Sequence, residues 1–423
     1  MSERLKVLIS AYACSPYKGS EPGVGWGFVA ELAKHHELWV IVEEEKFRAD
    51  IERYIDDNPE FSRQVHFHFI CKRRNRLLRK LWPPSYYWYY RRWHKDALDL
   101  ANVLHAEIKF DLAHQLTMVG FREPGYLWRL GIPFVWGPVG GMGVFPWRFL
   151  VKVGWYGGLY YLGYNLYNLA QMRFMQRPKI AALEAGSGLI AATPENQAQM
   201  LVRWGVDSSL IAEVGLPSEP IPDVHRGNPG GPLRVVWTGL HLPRKALNLG
   251  LEALALTSPP LELHVLGEGP RTPAWKSLAK QLGVSKKCYF HGWLSRDEAL
   301  AVMRSAQVML ITSLRDLTST VTIEALAMGL PIVCLDHCGF AHVVDETCGI
   351  KVPLTDPKLV VKGISAALTL LANDELWRRQ LAQGALIRAK AFGWEKKVAV
   401  LNQIYAQRLR AAGRDRPEGI WPK

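Results

Sequence analysis

One alternation, run twice, sets the limits on how this chain can fold. "KVLISAY", "ELWVIVE", "HFHFI", "DLAHQL", "IPFVWG" and "GLIAAT" are short apolar runs rich in β-branched and aromatic residues, each followed by a segment of helical length. After a stretch dense in proline and glycine, "GLPSEPIPDVHRGNPGGPLR", the pattern restarts with "RVVWTG", "LELHVLG", "CYFHGW", "VMLITS", "PIVCLD" and "GIKVP". Apolar strand runs with helices between them predict parallel sheets covered on both faces. Two such series predict two doubly wound, Rossmann-like α/β domains, with ligands bound in a cleft at the carboxyl ends of their strands. The expected division is 1–214 for the first domain, 215–232 for the linker, 233–391 for the second domain and 392–423 for a closing helix. With 423 residues, 48% of them hydrophobic, the chain can bury two cores.

The first strand-to-helix junction holds "GSEPGVGWGF", residues 19–28. Glycines there let backbone approach a ligand and offer amide donors to a phosphate, which marks Gly23 and Gly25 as candidate phosphate-binding residues. The dinucleotide fingerprint does not fit, because "GVGWGF" places its third glycine one residue early, so a nicotinamide cofactor is disfavoured. The competing use of these glycines is tight packing of helix on strand.

Lys and Arg outnumber Asp and Glu by 52 to 39, and the net charge of +13 favours an anionic partner: nucleic acid, a membrane surface or a phosphorylated small molecule. "MSERLKV" carries no signal-like apolar stretch, which predicts a cytoplasmic protein. Cys334, His337, Cys338, His342 and Cys348 are crowded, but they contain no C-x-x-C pair and Cys334 sits in an apolar strand. They read as core cysteines and their neighbours, not a zinc site.

The sharpest motif is "SLRDLTSTVTIEALAMGLPIVCLD", residues 313–336: a loop, a helix from about Ser319, a glycine break at Gly329 and a buried strand. With "VVWTGLHLPRKALNLGLEAL" and "LELHVLGEGP", it resembles the retaining nucleotide-sugar glycosyltransferases of family 4, which have the two-domain GT-B fold. The resemblance implies that Glu324 binds the ribose of a nucleotide-diphosphate sugar and that amides from Thr318, Ser319, Thr320 and Val321 hold its diphosphate. Asp316 stands where the family has a first glutamate, and as a catalytic candidate it would accept from a hydroxyl of the donor sugar. In "TGLHLPRKAL", Gly239, Pro243 and Lys245 match the family's glycine, proline and phosphate-binding lysine, while Leu240 replaces its arginine and Arg244 is the nearest substitute cation. Gly267 and Gly269 of "VLGEGP", with Trp293 and Leu294 of "FHGWLSRDE", fall where the family holds the donor and its base. His114 of "FDLAHQL" matches a family histidine and is a catalytic candidate. Gly140 and Gly141 of "WGPVGGMG" form a second strand-end loop that would shape the sugar or acceptor pocket. No metal or other cofactor is expected, because the family neutralises the diphosphate with cations and amides.

The acceptor side is written in aromatics and bases. Residues 72–95 hold Trp82, Trp88, Arg91, Arg92 and Trp93, and residues 153–172 are uncharged but rich in glycine and tyrosine. Trp and Tyr beside Lys and Arg suit a membrane interface, so these stretches predict attachment to an anionic surface, the inner face of the plasma membrane, and a glycan or lipid-linked acceptor. The competing reading is an internal aromatic core. RNA binding would use the same residue types but leaves the paired α/β pattern unexplained, so no nucleic acid partner is expected. A nucleotide-sugar epimerase or a sugar phosphorylase on the same fold stays open.

Overall fold

The computed structural model describes residues 4–72, 85–216 and 231–414. They form two compact units: residues 4–72, 85–142, 171–215 and 394–414 in the first, and 143–170, 216 and 231–393 in the second.

The first unit carries a seven-stranded, all-parallel sheet built from β1 (Lys6–Ala11), β2 (Glu37–Glu43), β3 (Val65–Ile70), β4 (Leu112–Thr117), β5 (Phe134–Val139), β6 (Leu189–Ala191) and β7 (Ser209–Leu210). Its order is β3-β2-β1-β4-β5-β6-β7. Central strands β4 and β5 are buried along their whole length, whereas "VHFHFI" of edge strand β3 is only half-buried beyond its first residue. β5, "FVWGPV", is an apolar run of the kind a strand covered on both faces shows, whereas β4, "LAHQLT", is as deeply buried although it carries His114, Gln115 and Thr117. The two-residue β7 is too short to show a pattern and is not among the expected strands.

"GSEPGVGWGF" is not a loop here. Ser20–Leu32 is a helix with Gly19 at its N-cap, so Gly23 and Gly25 lie inside its first turns. A Cβ on Gly25 would come closer than 3 Å to the Ala13 carbonyl oxygen, and one on Gly23 would meet the Lys18 carbonyl oxygen at 2.7 Å. These glycines serve the approach of helix to the chain leaving β1, which corrects their expected role as phosphate ligands. Gly27 does the same for the indole of Trp394, which also packs against Gly215. Trp394 opens the helix Trp394–Arg414, which packs on the first unit, with Phe28 edge-on to the indole at 5.0 Å.

The second unit carries a six-stranded parallel sheet: β8 (Leu233–Thr238), β9 (Leu261–Leu266), β10 (Cys288–Gly292), β11 (Val308–Ile311), β12 (Ile332–Leu335) and β13 (Gly349–Val352), in the order β10-β9-β8-β11-β12-β13. Its core joins Trp237, Leu247, Leu251, Val265, Trp275 and Leu310 to Phe145, Phe149, Val153 and Tyr161. Segment 143–170 therefore belongs to this unit and not, as the expected 1–214 boundary has it, to the first. Phe145, Phe149 and Tyr161 of this segment fill part of the second unit's core, and that burial decides its allegiance. Of the expected linker, residues 217–230 lie outside the described residues.

Candidate functional site

In both sheets strand order reverses once, between β1 and β4 and between β8 and β11. Crossovers leave on opposite faces at such a point, which opens a crevice beyond the carboxyl ends of the two strands. The loops after β8 and β11 carry Gly239–Lys245 and Ser313–Ser319, so the topology brings together residues 71 positions apart.

Arg244 and Lys245 lie in the short 3-10 turn Pro243–Lys245. Backbone and hydroxyl bonds tie this turn to the β11 loop: the Leu314 N–H donates to the Arg244 carbonyl at 2.8 Å, and the Thr312 hydroxyl donates to the Lys245 carbonyl at 2.7 Å. Asp316 then faces both cations. Lys245 Nζ donates to its Oδ2, and Arg244 Nη1 stands 3.3 Å from its Oδ1 while donating to the Arg315 carbonyl at 3.0 Å. The Asp316 N–H donates to Cys338 Sγ at 3.2 Å. Arg244, expected as a substitute for the missing arginine at Leu240, thus occupies the site with Lys245, and Leu240 lines the neighbouring pocket.

Helix Thr320–Ala327 begins beside this cluster, with Ser319 at its N-cap in the left-handed region, φ 70°. Its first amide groups have no partner inside the helix. Lys245, Ser319, Val321 and Thr322 line one small cavity with Trp237, Thr238 and Phe340. Thr318 is fully buried, and its carbonyl accepts from the Thr322 hydroxyl at 2.7 Å. Glu324, one turn into the helix, is buried and meets Arg296 at 2.9 Å. Arg296 starts the helix Arg296–Ser305, fixed by a capping box between Ser295 and Glu298. Arg296 is not among the residues that the motifs single out; its position directly after "GWLS" is the signal that marks it.

A second cavity of about 170 Å³ shares Thr238 with the first and is lined by Gly239, Leu240, Leu266, Gly267, Trp293, Leu294 and Ala299. Gly267 has φ +98°, and a Cβ there would fall on the Gly239 carbonyl oxygen. Only glycine fits where the two strand-end loops touch. Gly269, also at positive φ, donates its N–H to the Thr272 hydroxyl at 3.1 Å. The second unit therefore offers an apolar slot with an exposed indole at its mouth, next to two cations, a carboxylate and a helix N-terminus. Such a set suits a planar group linked to an anionic one.

Two residues of segment 143–170 support the cluster from behind. The Tyr164 hydroxyl accepts from Arg315 Nη2, and the guanidinium lies 3.9 Å from the centre of the Tyr164 ring. Tyr161 is buried against Phe145 and touches the Arg244 backbone; burial pushes its phenol above the usual range.

Candidates in the first unit stand differently. His114 is fully buried, with Nδ1 bonded to the Tyr405 hydroxyl at 2.7 Å and Nε2 to the Gly137 carbonyl at 2.9 Å. Burial pushes its pKa down to about 4, so the ring is neutral and committed to packing, which corrects its expected catalytic role. Trp93 is likewise in the core, donating to the Ile70 carbonyl at 3.0 Å and edge-on to Tyr12, so it is no acceptor or membrane contact. Trp88, Arg91 and Arg92 are exposed on the same helix, Ser85–Ile108; Trp82 lies outside the described residues. Gly140 bridges Gly120 through backbone bonds, and Gly141 follows at φ +84°.

Residues 232–370 match the family model described as glycosyl transferases group 1. Among curated proteins the chain is similar to the D-inositol 3-phosphate glycosyltransferase of Streptomyces bingchenggensis, 28% identical over 261 residues, which cover 53% of this chain and 54% of the relative. The chain spans about half the length of the curated relatives it matches. Among solved structures it is similar to the lipopolysaccharide outer core galactosyltransferase WaaB, with a TM-score of 0.61, 12% identity and 96% of this chain covered against 100% of that one. It is similar also to Anabaena HepE in complex with UDP, with a TM-score of 0.57, 13% identity and the same coverage. Likeness at this identity establishes the fold, GT-B, with its two parallel-sheet domains.

Proposed function

We propose that the chain is a glycosyltransferase that moves a sugar from a nucleotide-diphosphate sugar to a hydroxyl of a glycan acceptor. The observation that carries this reading is the junction of the Lys245–Asp316–Arg244 cluster and the N-terminus of helix Thr320–Ala327 with the slot at Trp293, all within the segment that matches the group 1 family. The nucleoside base enters the slot between Leu294 and Gly239. The diphosphate lies against Lys245, Arg244 and the amides of Ser319 to Val321, where positive charge offsets the charge that develops on the leaving group. Glu324 receives the ribose hydroxyls, exchanging its bond to Arg296 for them. Asp316 faces the sugar and is shared with the cations.

With cations and amides supplying the positive charge, the reaction runs without a divalent metal. The acceptor attacks from the face that the diphosphate leaves, so anomeric configuration is retained, as the resemblance to family 4 implies. The acceptor is a lipid-linked glycan of surface or exopolysaccharide synthesis, reached from the cytoplasmic leaflet. Exposed Trp88, Arg91 and Arg92 support contact with that anionic surface.

Thermal shift with UDP, GDP and ADP tests the donor reading. One nucleotide raises Tm in the native protein, and Lys245→Ala removes most of the shift, a loss of about 1.5 to 3 kcal/mol for a charge-assisted phosphate contact. No shift with any nucleotide overturns the reading. Product analysis separates transfer from epimerisation, since an epimerase converts the donor with no acceptor present.

A further inference from the structure

The helix Gly154–Phe174 has two unlike faces. Toward the core of the second unit it turns Tyr161, Tyr164, Asn165 and Asn168. Asn165 bonds both the N–H and the carbonyl of Phe145 at 2.8 Å, and Asn168 donates to the Gly143 carbonyl at 3.0 Å. Toward solvent it turns Trp155 and Tyr156, each 75% exposed, with Leu159, Tyr160, Leu166 and Tyr167 at 58 to 65%. Spacings of four and seven residues put these six side chains on one side of the helix. A contiguous aromatic face of this kind marks an interaction site, because soluble surfaces scatter such residues singly.

The charge pattern identifies the occupant. No Asp or Glu occurs between Glu123 and Glu184, while Arg148 and Arg173 flank the helix exposed. Trp, Tyr and Leu on one face with bases at both ends suit the plane of an anionic bilayer. Among the described residues no helix is long and apolar enough to cross a membrane. We infer that helix Gly154–Phe174 lies in the surface of an anionic bilayer through Trp155, Tyr156, Leu159, Tyr160, Leu166 and Tyr167. This deepens the proposed function, on which the lipid-linked acceptor rests, and assigns the membrane contact to a helix whose residues 154–170, with all six of these side chains, belong to the donor-binding unit. Through Tyr164 and Tyr161 the same helix touches Arg315 and Arg244, so the lipid contact and the diphosphate site share one rigid element.

The full chain is sedimented with vesicles of phosphatidylcholine alone and with phosphatidylglycerol added, at low and high salt. Binding to the anionic vesicles is expected, weakened by salt. The variant Trp155→Ser/Tyr156→Ser/Leu159→Ser/Tyr160→Ser is expected to lose at least tenfold in partitioning. Arg148→Gln/Arg173→Gln is expected to lose roughly tenfold on anionic vesicles alone, each base contributing several-fold. An unchanged thermal shift with UDP in vesicle-free solution shows that either variant keeps its fold. Native protein left in the supernatant, or a serine variant that sediments equally well, overturns the inference. So does dimerisation by light scattering that the serine variant abolishes, which assigns the face to a second copy. Vesicle binding without any nucleotide shift sinks the donor reading and leaves this one standing.

Discussion

Asp316→Asn keeps the shape of the side chain and removes its charge, and the structure gives that change two effects of opposite sign. The carboxylate faces Lys245 Nζ and lies 3.3 Å from Arg244 Nη1, with the three side chains 12 to 26% exposed. At that separation and an effective dielectric constant of about 20, one pair attracts by about 5 kcal/mol before desolvation is counted. Desolvation and partial exposure reduce the net contribution to about 1 to 2 kcal/mol. The ligand-free variant should therefore unfold a few degrees below the native protein. A phosphate group, by contrast, meets two cations no longer shared with a carboxylate, and UDP should bind about tenfold tighter, a gain of about 1.4 kcal/mol. Sugar transfer should fall at the same time, because the carboxylate no longer faces the donor sugar. Calorimetric titration with UDP, with circular dichroism as the check on folding, reads the first effect apart from turnover. A folded variant that binds UDP with native or weaker affinity would refute the argument that Asp316 holds these cations in check.

Gly25→Ala places a methyl group closer than 3 Å to the Ala13 carbonyl oxygen and 3.3 Å from the Thr117 methyl, whereas Gly19→Ala meets nothing within 4 Å. Although alanine favours a helix by about 1 kcal/mol, Gly25→Ala should destabilise by about 2 to 3 kcal/mol and Gly19→Ala by little, as measured by chemical denaturation; equal effects at the two sites would sink the packing account. His114 is neutral when folded, with its pKa pushed down to about 4 from an ordinary 6.5. Between those values the unfolded chain binds a proton that the folded chain does not, so stability should fall as pH drops through this window, by about 3 kcal/mol at its lower end. His114→Gln should flatten that part of the stability profile, and an unchanged slope would show that the ring is charged in the fold.

The strands were legible because burial on both faces leaves unbroken apolar runs, and "KVLISAY" or "VMLITS" can hardly be read otherwise. The glycine stretch misled because low helix propensity hides a helix whose glycines answer to contacts with Ala13 and with Trp394, the latter far away in sequence. Trp93 could have been separated from its neighbours. Tyr90, Trp93, Ala97 and Ala101 recur at helical spacing and are buried, while Trp88, Arg91 and Arg92 fall on the other side. In the site, the resemblance singled out Lys245, Asp316 and Glu324, yet nothing local tells that Asp316 holds both cations or that Arg296 reaches Glu324. Those pairings depend on where β8, β10 and β11 end relative to one another. The same holds for segment 143–170, whose tyrosines read as membrane or core residues: Tyr161 is buried, whereas Tyr156, Tyr160 and Tyr167 are exposed.

The position of Trp394 bears on how the chain is made. Its indole fills the gap between Gly27 and Gly215, and eleven residues on, Tyr405 gives His114 a hydrogen-bond partner. Both groups belong to the helix Trp394–Arg414, while the unit they complete includes β1. On a ribosome that unit stays open at Gly27 and His114 until the helix Trp394–Arg414 has been made, and the described residues of the second unit all come earlier. The usual amino-to-carboxyl order of domain completion is then reversed. The half that starts first finishes last, and a ribosome stalled before Trp394 holds a nascent chain with an uncovered sheet.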